Sequence, residues 1–211
     1  AGVVRAIKEQ QLRTRGRVLH EAASVYDWLS PAMMLFQEGR INRTAIQFLE
    51  PRPTDTVLDV GCATGGVTLA IARHLDKEKG GLAVGVDASA QMIACARRKA
   101  VGTACRFDLA AAEDLPYPDA CFDKAVSTMF FHHLCLEDKL AALRQVHRVL
   151  RAEGRFVIAD VDTPTTLIGR LSARSGEWLF HQPEIGENID GKLPGLFAQA
   201  GFSYTRVAHA L

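Results

Sequence analysis

Residues 58–68 read LDVGCATGGVT: the apolar run Leu58–Val60 breaks into a turn holding Gly61, Gly65 and Gly66, and Val67 opens a new apolar stretch. A strand, a glycine turn and a helix in succession bring backbone N–H groups close to whatever is bound at the strand tip. A dinucleotide fingerprint is Gly-x-Gly-x-x-Gly, whose central glycine lets the main chain approach a pyrophosphate. Here that position is Ala63. A P-loop requires Lys after its last glycine, and Val67 follows Gly66. A P-loop lookalike at 186–192, GENIDGK, follows no strand and continues into Leu193 where Ser or Thr would meet magnesium, so it reads as coincidence. The next apolar run, VGVDAS at 84–89, ends in Asp87. An acid at that tip accepts hydrogen bonds from ribose hydroxyls. Ribose is therefore expected beside an imperfect pyrophosphate cradle, and an adenosine ligand without phosphates fits both facts.

Outward from this stretch the chain alternates. Apolar runs predict strands over Thr56–Val60, Leu82–Asp87, Ala104–Asp108, Phe122–Thr128 and Arg155–Asp160, with helices over Val67–Leu75, Ala90–Ala100 and Glu137–Leu150 between them. Nearly continuous apolar strands are those covered on both faces. The alternation predicts an α/β fold: a doubly wound, Rossmann-like, mostly parallel sheet with helices on both faces, its ligands beyond the carboxyl ends of the strands. Residues 1–50 read as helical, with Val18, Leu19, Ala22 and Ala23 and then Ile41, Ala45, Phe48 and Leu49 at helical spacing. Pro51 and Pro53 separate this N-terminal helical lid from a domain at 51–211. A short helix over Leu196–Ala200 and a strand over Ser203–Ala208 close the chain.

Composition bounds the partners. The 211 residues, 48% hydrophobic, suffice to bury one full core. Lys and Arg number 25 against 24 Asp and Glu, which gives no field for nucleic acid or an anionic membrane. The basic N-terminal arm (Arg5, Lys8, Arg13, Arg15, Arg17) reads as a solvated helix face. No apolar run reaches the ~20 residues of a membrane span, and no signal-peptide pattern opens the chain. Its start at Ala1 rather than Met points to residues missing upstream. Five scattered cysteines (62, 95, 105, 121, 135) at no metal-binding spacing fit buried thiols in a reducing, cytoplasmic setting.

LDVGCATG with VGVDAS, then AEDLPYPDACFD, STMFFHHL and HRVLRAEGRFVIAD, resembles the class I S-adenosylmethionine-dependent methyltransferases. The branch most similar is that of the ubiquinone/menaquinone-biosynthesis enzymes and related small-molecule methyltransferases. The likeness runs from about Thr56 to Asp160, with weaker similarity at Tyr26-Asp27 and Gly201-Phe202. It implies S-adenosylmethionine as cofactor, S-adenosylhomocysteine as product and a small-molecule acceptor. By this resemblance Gly61, Cys62, Ala63 and Gly65 run along the methionine and ribose portions, and Asp87 holds the ribose hydroxyls. Ala88 and Met92 pack near the adenine, Ala112 and Glu113 border its edge, and Ser127, Thr128 and Met129 pass the methionine end. Tyr26 closes over that end from the lid. Asp59 belongs to the same loop, as a ligand contact or as the anchor of the turn.

Three departures stand out. Ala111 replaces an acid that relatives often place on the adenine amino group, leaving Glu113, Asp108 or water. Ala152-Glu153-Gly154 replaces a Pro-Gly-Gly turn. The last antiparallel strand of a seven-stranded sheet has no candidate, which points to a chain truncated beyond Leu211.

His132 and His133 follow the fourth strand, where an imidazole serves as general base or simply orders the loop. No third ligand accompanies them, so no metal is expected. Phe130, Phe131, Trp178 and Phe180 suggest an apolar or aromatic acceptor pocket, and His181 and Glu184 are further candidates to reach it. Among rivals, a nicotinamide oxidoreductase is disfavoured by Ala63 and by the absence of Tyr-x-x-x-Lys. Nucleic-acid methylation lacks any Asn/Asp-Pro-Pro-aromatic motif. A non-catalytic cofactor- or partner-binding module stays open.

Overall fold

A computed structural model describes residues 38–160 and 191–205. Its five strands are β1 (Thr56–Val60), β2 (Leu82–Asp87), β3 (Cys105–Leu109), β4 (Phe122–Thr128) and β5 (Leu150–Ala159). They form one sheet in the order β3-β2-β1-β4-β5, every neighbouring pair parallel. The chain starts at the centre, winds to one edge through β3, and then crosses to β4. The switch between β1 and β4 opens the crevice in which α/β sheets of this kind bind ligands.

The helices are α1 (Glu38–Leu49), α2 (Gly66–Ala72), α3 (Ala90–Lys99), α4 (Leu136–Val149) and α5 (Leu193–Gln199). They cover both faces, as the alternating side chains of the strands require. On one face Leu58, Val60, Val84, Val86 and Ala125 pack against Ala142, Leu143 and Val146 of α4 and Leu193 and Leu196 of α5. On the other, Val57, Ala83 and Val126 meet Ala45, Ile46 and Leu49 of α1 and Val67, Ile71 and Ala72 of α2. Phe107 of β3 fills a third cluster with Cys62, Ile93 and Ala96. Local signals set the helix ends. Ser89 caps α3 by accepting from Met92 N, with Arg97, Arg98 and Lys99 in the last turn. Glu137 and Asp138 open α4, which His147 and Arg148 close.

Two expectations change. The segment Glu38–Leu49 is part of the core, not of a lid: its Ala45, Ile46 and Leu49 are buried against the sheet. Carbonyls at its C-terminal end accept from cationic side chains of the sheet. Lys124 Nζ donates to Glu50 O, and Arg155 Nη1 donates to Phe48 O at 2.7 Å; cations at a helix C-terminus also meet its negative dipole end. The remainder of the expected lid, with Tyr26, lies outside the described residues. Strand β5 begins at Leu150 rather than Arg155, because the chain leaves α4 directly into extended backbone and bulges before regaining register. Residues 203–205 adopt no regular structure, and 206–208 lie outside the described residues. No helix among the described residues is long and apolar enough to cross a membrane.

Arg148, on α4, fixes the loop that follows β3. Its guanidinium donates to Leu115 O at 2.9 Å, Tyr117 O at 2.7 Å and Asp119 Oδ1 at 2.7 Å.

Because Leu49 is fully buried at the α1–sheet contact, Leu49→Ala is expected to destabilise the fold by about 2–4 kcal/mol through lost transfer energy and a residual cavity. Urea unfolding of both proteins, read as a lowered midpoint at unchanged slope, checks this.

Candidate active site

The loop after β1 is folded back onto β2. Gly61 N and Cys62 N both donate to Val86 O, at 3.0 and 2.9 Å, and Gly65 N donates to Cys62 O at 2.8 Å. The backbone is left-handed at Gly61 (φ 75°), Ala63 (φ 45°) and Gly65 (φ 86°). For an alanine that conformation costs about 1–2 kcal/mol. It is held because Ala63 N donates to Asp87 Oδ2 at 3.0 Å. The other oxygen, Asp87 Oδ1, accepts from Ser89 N at 2.8 Å. Each carboxylate oxygen has two acceptor sites, so one on each survives these bonds, enough for a vicinal pair of hydroxyls. Burial raises the Asp87 carboxyl above its ordinary value, and the Ser89 and Ala63 N–H groups pull it back.

The two glycines of the loop serve different purposes. A Cβ on Gly61 would collide with the Phe130 ring, which packs against it from the turn after β4. A Cβ on Gly65 would lie 2.5 Å from Phe107 and 3.1 Å from Ala96. Gly65 thus clears room for the core between α3 and β3, in the manner of a helix–strand packing glycine, and not for a ligand.

Other predicted residues fall beneath the loop. Asp59 is buried and accepts from Thr68 Oγ1 at 2.6 Å, tying β1 to α2. Burial pushes its carboxyl up to about 7, against the Thr68 hydrogen bonds that lower it. The Cys62 side chain is buried with Phe107 and Ile93, and burial pushes its thiol up. Ser127 is also buried, its Oγ donating to Val60 O at 2.8 Å and so joining β4 to the tip of β1.

Exposed toward the strand tips are different groups. Ala63, Ala88, Thr128 and Met129 are half-buried, and Met129 is left-handed (φ 52°) as the chain turns off β4. Met92 is buried on α3. Beyond β3, Ala110, Ala111 and Ala112 are buried and Glu113 is half-buried. Asp108 faces Tyr117, whose hydroxyl donates to Oδ2 at 2.8 Å, and Arg106, whose Nε lies 3.0 Å from the same oxygen.

At the tips of β4 and β5 one carboxylate organises the turn. Asp160 Oδ2 accepts from Phe130 N at 3.0 Å and Phe131 N at 2.6 Å, while Oδ1 lies 2.6 Å from His132 Nδ1. A carboxylate on Nδ1 holds the proton there and leaves Nε2 as the basic nitrogen of the neutral ring. The His133 ring lies 3.9 Å from that of His132, centroid to centroid. Asp160 was not singled out as a site residue in the sequence. Its signal is positional: it ends the apolar run VIAD, as Asp87 ends VGVD.

Residues 58–158 match the family model described as a methyltransferase domain. The chain is 32% identical over 187 residues to the ubiquinone/menaquinone biosynthesis C-methyltransferase UbiE of Geobacter sulfurreducens, an alignment covering 86% of this chain and 67% of that protein. The chain belongs to the class I S-adenosylmethionine-dependent methyltransferases. It is also 34% identical over 174 residues to the O-methyltransferase cnsE of Penicillium expansum, covering 77% of this chain and 57% of that one. The chain thus spans about three-fifths to two-thirds of the length of these curated relatives. In fold, the crystal structure of the YcgJ protein of Bacillus subtilis superposes with a TM-score of 0.65 at 24% identity, over 80% of this chain and 70% of that one. S-adenosylmethionine is the cofactor of this class, and the two remaining acceptor sites of Asp87 suit the two hydroxyls of its ribose.

The raised Asp59 carboxyl gives a testable pH dependence. Between its ordinary 3.8 and about 7 the folded state holds a proton that the unfolded chain has released. The stability from this group is therefore complete at low pH and lost as pH rises toward 7. Urea unfolding is expected to show wild type losing stability relative to Asp59→Asn, by more than ~1 kcal/mol from roughly pH 5 to 7. Parallel pH profiles of the two proteins would show that Asp59 titrates normally.

Proposed function

We propose that this methyltransferase acts on a small phenolic or quinol-like acceptor held at the tips of β4 and β5, with His132 as general base positioned by Asp160. The observation that carries this reading is the Asp160–His132 contact of 2.6 Å. It lies at the same carboxyl end of the sheet as Asp87, on the other side of the β1–β4 switch.

In this reading Asp87 holds the ribose hydroxyls and the main chain of Gly61–Ala63 follows the methionine and ribose portions. Ala88 and Met92 flank the base, Ala112 and Glu113 its edge, and Thr128 and Met129 the methionine end. Asp59, Gly65 and Ser127 support the loop from below, and Tyr26 is kept as a residue of the lid. The bound cofactor supplies an electrophilic methyl group on a sulfonium centre, so the protein contributes alignment, exclusion of water and proton handling.

A phenolic oxygen or an acidic ring carbon must lose its proton as the methyl group arrives. His132 Nε2 takes that proton while Asp160 keeps Nδ1–H in place. His133 then orders the turn. Phe130 and Phe131, at 5.5 Å and near-perpendicular, give an aromatic border suited to a planar ring. The names of the relatives, one a C- and one an O-methyltransferase, support an acceptor of this class. The balanced charge of the chain favours a small molecule over a nucleic acid. All five cysteines are free, which supports a reducing compartment such as the cytoplasm.

His132→Gln is expected to lower kcat on catechol or hydroquinone acceptors by about 10²–10⁴ while S-adenosylhomocysteine affinity stays within a fewfold of wild type. Asp160→Asn is expected to lower kcat in the same direction. Unchanged kcat in His132→Gln would remove the base from the account. Cofactor binding without turnover on any acceptor would favour the non-catalytic module instead.

A further inference from the structure

Two left-handed residues stand just past neighbouring strand tips: Gly61 (φ 75°) after β1 and Met129 (φ 52°) after β4. For a methionine this backbone is strained, and such strain persists only where the surroundings impose it. Here they do. Met129 N donates to Ala159 O at 2.8 Å, and Phe130 N donates to Asp160 Oδ2 at 3.0 Å. The turn so formed sets the Phe130 side chain against Gly61, where an added Cβ would collide with Phe130 Cβ, Cγ and Cδ2. The ring therefore rests on the bare main chain of the glycine loop. Gly61 N in turn donates to Val86 O at 3.0 Å, one residue before Asp87.

The main chain of the same residue carries the candidate base. Phe130 O accepts from His133 N at 3.0 Å, closing the single 3₁₀ turn Phe131–His133 that contains His132. Phe130 N shares Asp160 Oδ2 with Phe131 N, while Oδ1 lies 2.6 Å from His132 Nδ1. Phe131 is fully buried and meets the Phe130 ring at 5.5 Å, near-perpendicular, so the ring is held by the core as well as by the loop. Phe130 thus touches the glycine loop with its side chain and the His132 turn with its backbone.

We infer that Phe130 is a positioning residue for methyl transfer: its ring, packed on Gly61, sets the His132 turn against the glycine loop, resting on the reading of His132 as general base and of that loop as the cofactor's seat. Rates depend steeply on such alignment, a misplacement of about 1 Å costing roughly 10²-fold. Phe130→Ala keeps the main-chain bonds to Asp160 and takes away only the spacer between turn and loop.

A double-mutant cycle tests this. Wild type, Phe130→Ala, His132→Gln and the double variant, each shown to be folded by its unfolding curve, are compared in kcat for methylation of catechol and in calorimetric affinity for S-adenosylhomocysteine. Phe130→Ala is expected to lower kcat by about 10–100-fold, with S-adenosylhomocysteine affinity within about threefold of wild type. Phe130→Leu, which keeps apolar bulk without the ring, is expected to fall between the two and takes the place of Phe130→Ala in the cycle if that variant does not fold. Because the ring acts through His132, Phe130→Ala is expected to cost less than about threefold in the His132→Gln background. Equal losses in both backgrounds would overturn the inference, as would an unchanged kcat in the folded Phe130 variant, and either result leaves His132 as the base. An unchanged kcat in His132→Gln, or no turnover of catechol by wild type, would remove the reading of the base and this inference with it.

Discussion

The carboxylate of Asp87 is the joint on which the site depends. It receives N–H groups from Ala63, in the loop after β1, and from Ser89, at the start of α3. One side chain thus fixes two segments that sequence separates by more than twenty residues. Without it, Ala63 has little reason to stay left-handed, and the loop loses the bond that sets its distance from β2. The geometry is economical because each oxygen is used once by the protein. The acid that shapes the loop is therefore the same acid that remains able to receive a ligand.

A second carboxylate does comparable work across the switch. Asp160, at the end of β5, gathers the N–H groups of Phe130 and Phe131 and the ring of His132 into one turn. Between the two acids, Ser127 bonds to Val60 O and ties β4 to β1. The glycine loop after β1 and the candidate base are thereby connected through strand tips. Methyl transfer gains chiefly from alignment, and this arrangement places the aligning groups on the sheet and not on flexible connections.

The architecture was legible in the sequence because buried parallel strands and glycine turns leave strong local marks. The bounds expected for β1, β2 and β4 coincide with those observed. The start of β5 did not, since Leu150–Gly154 is neither a clean apolar run nor a turn. Helical spacing over Ile41–Leu49 showed that α1 buries a face, yet no local feature states what that face meets. Its destination depends on Lys124 and Arg155, more than seventy residues away.

The same limit governs the site. His132 and His133 look alike as neighbours in the sequence, and the partner of His132, Asp160, lies 28 residues later. Asp59 and Ser127 match positions of the cofactor motif, but their partners are Thr68 and Val60 within the protein. Gly65 looks like a ligand glycine until Phe107 is placed against it.

The most direct measurement is the affinity of S-adenosylhomocysteine for wild type and for Asp87→Ala by titration calorimetry, with unfolding curves to confirm that both are folded. If Asp87 is the ribose acid, the variant loses two hydrogen bonds to a charged acceptor, each worth about 1.5–3 kcal/mol. Binding should then weaken by ~100-fold or more. Equal affinity in a folded variant would contradict the account.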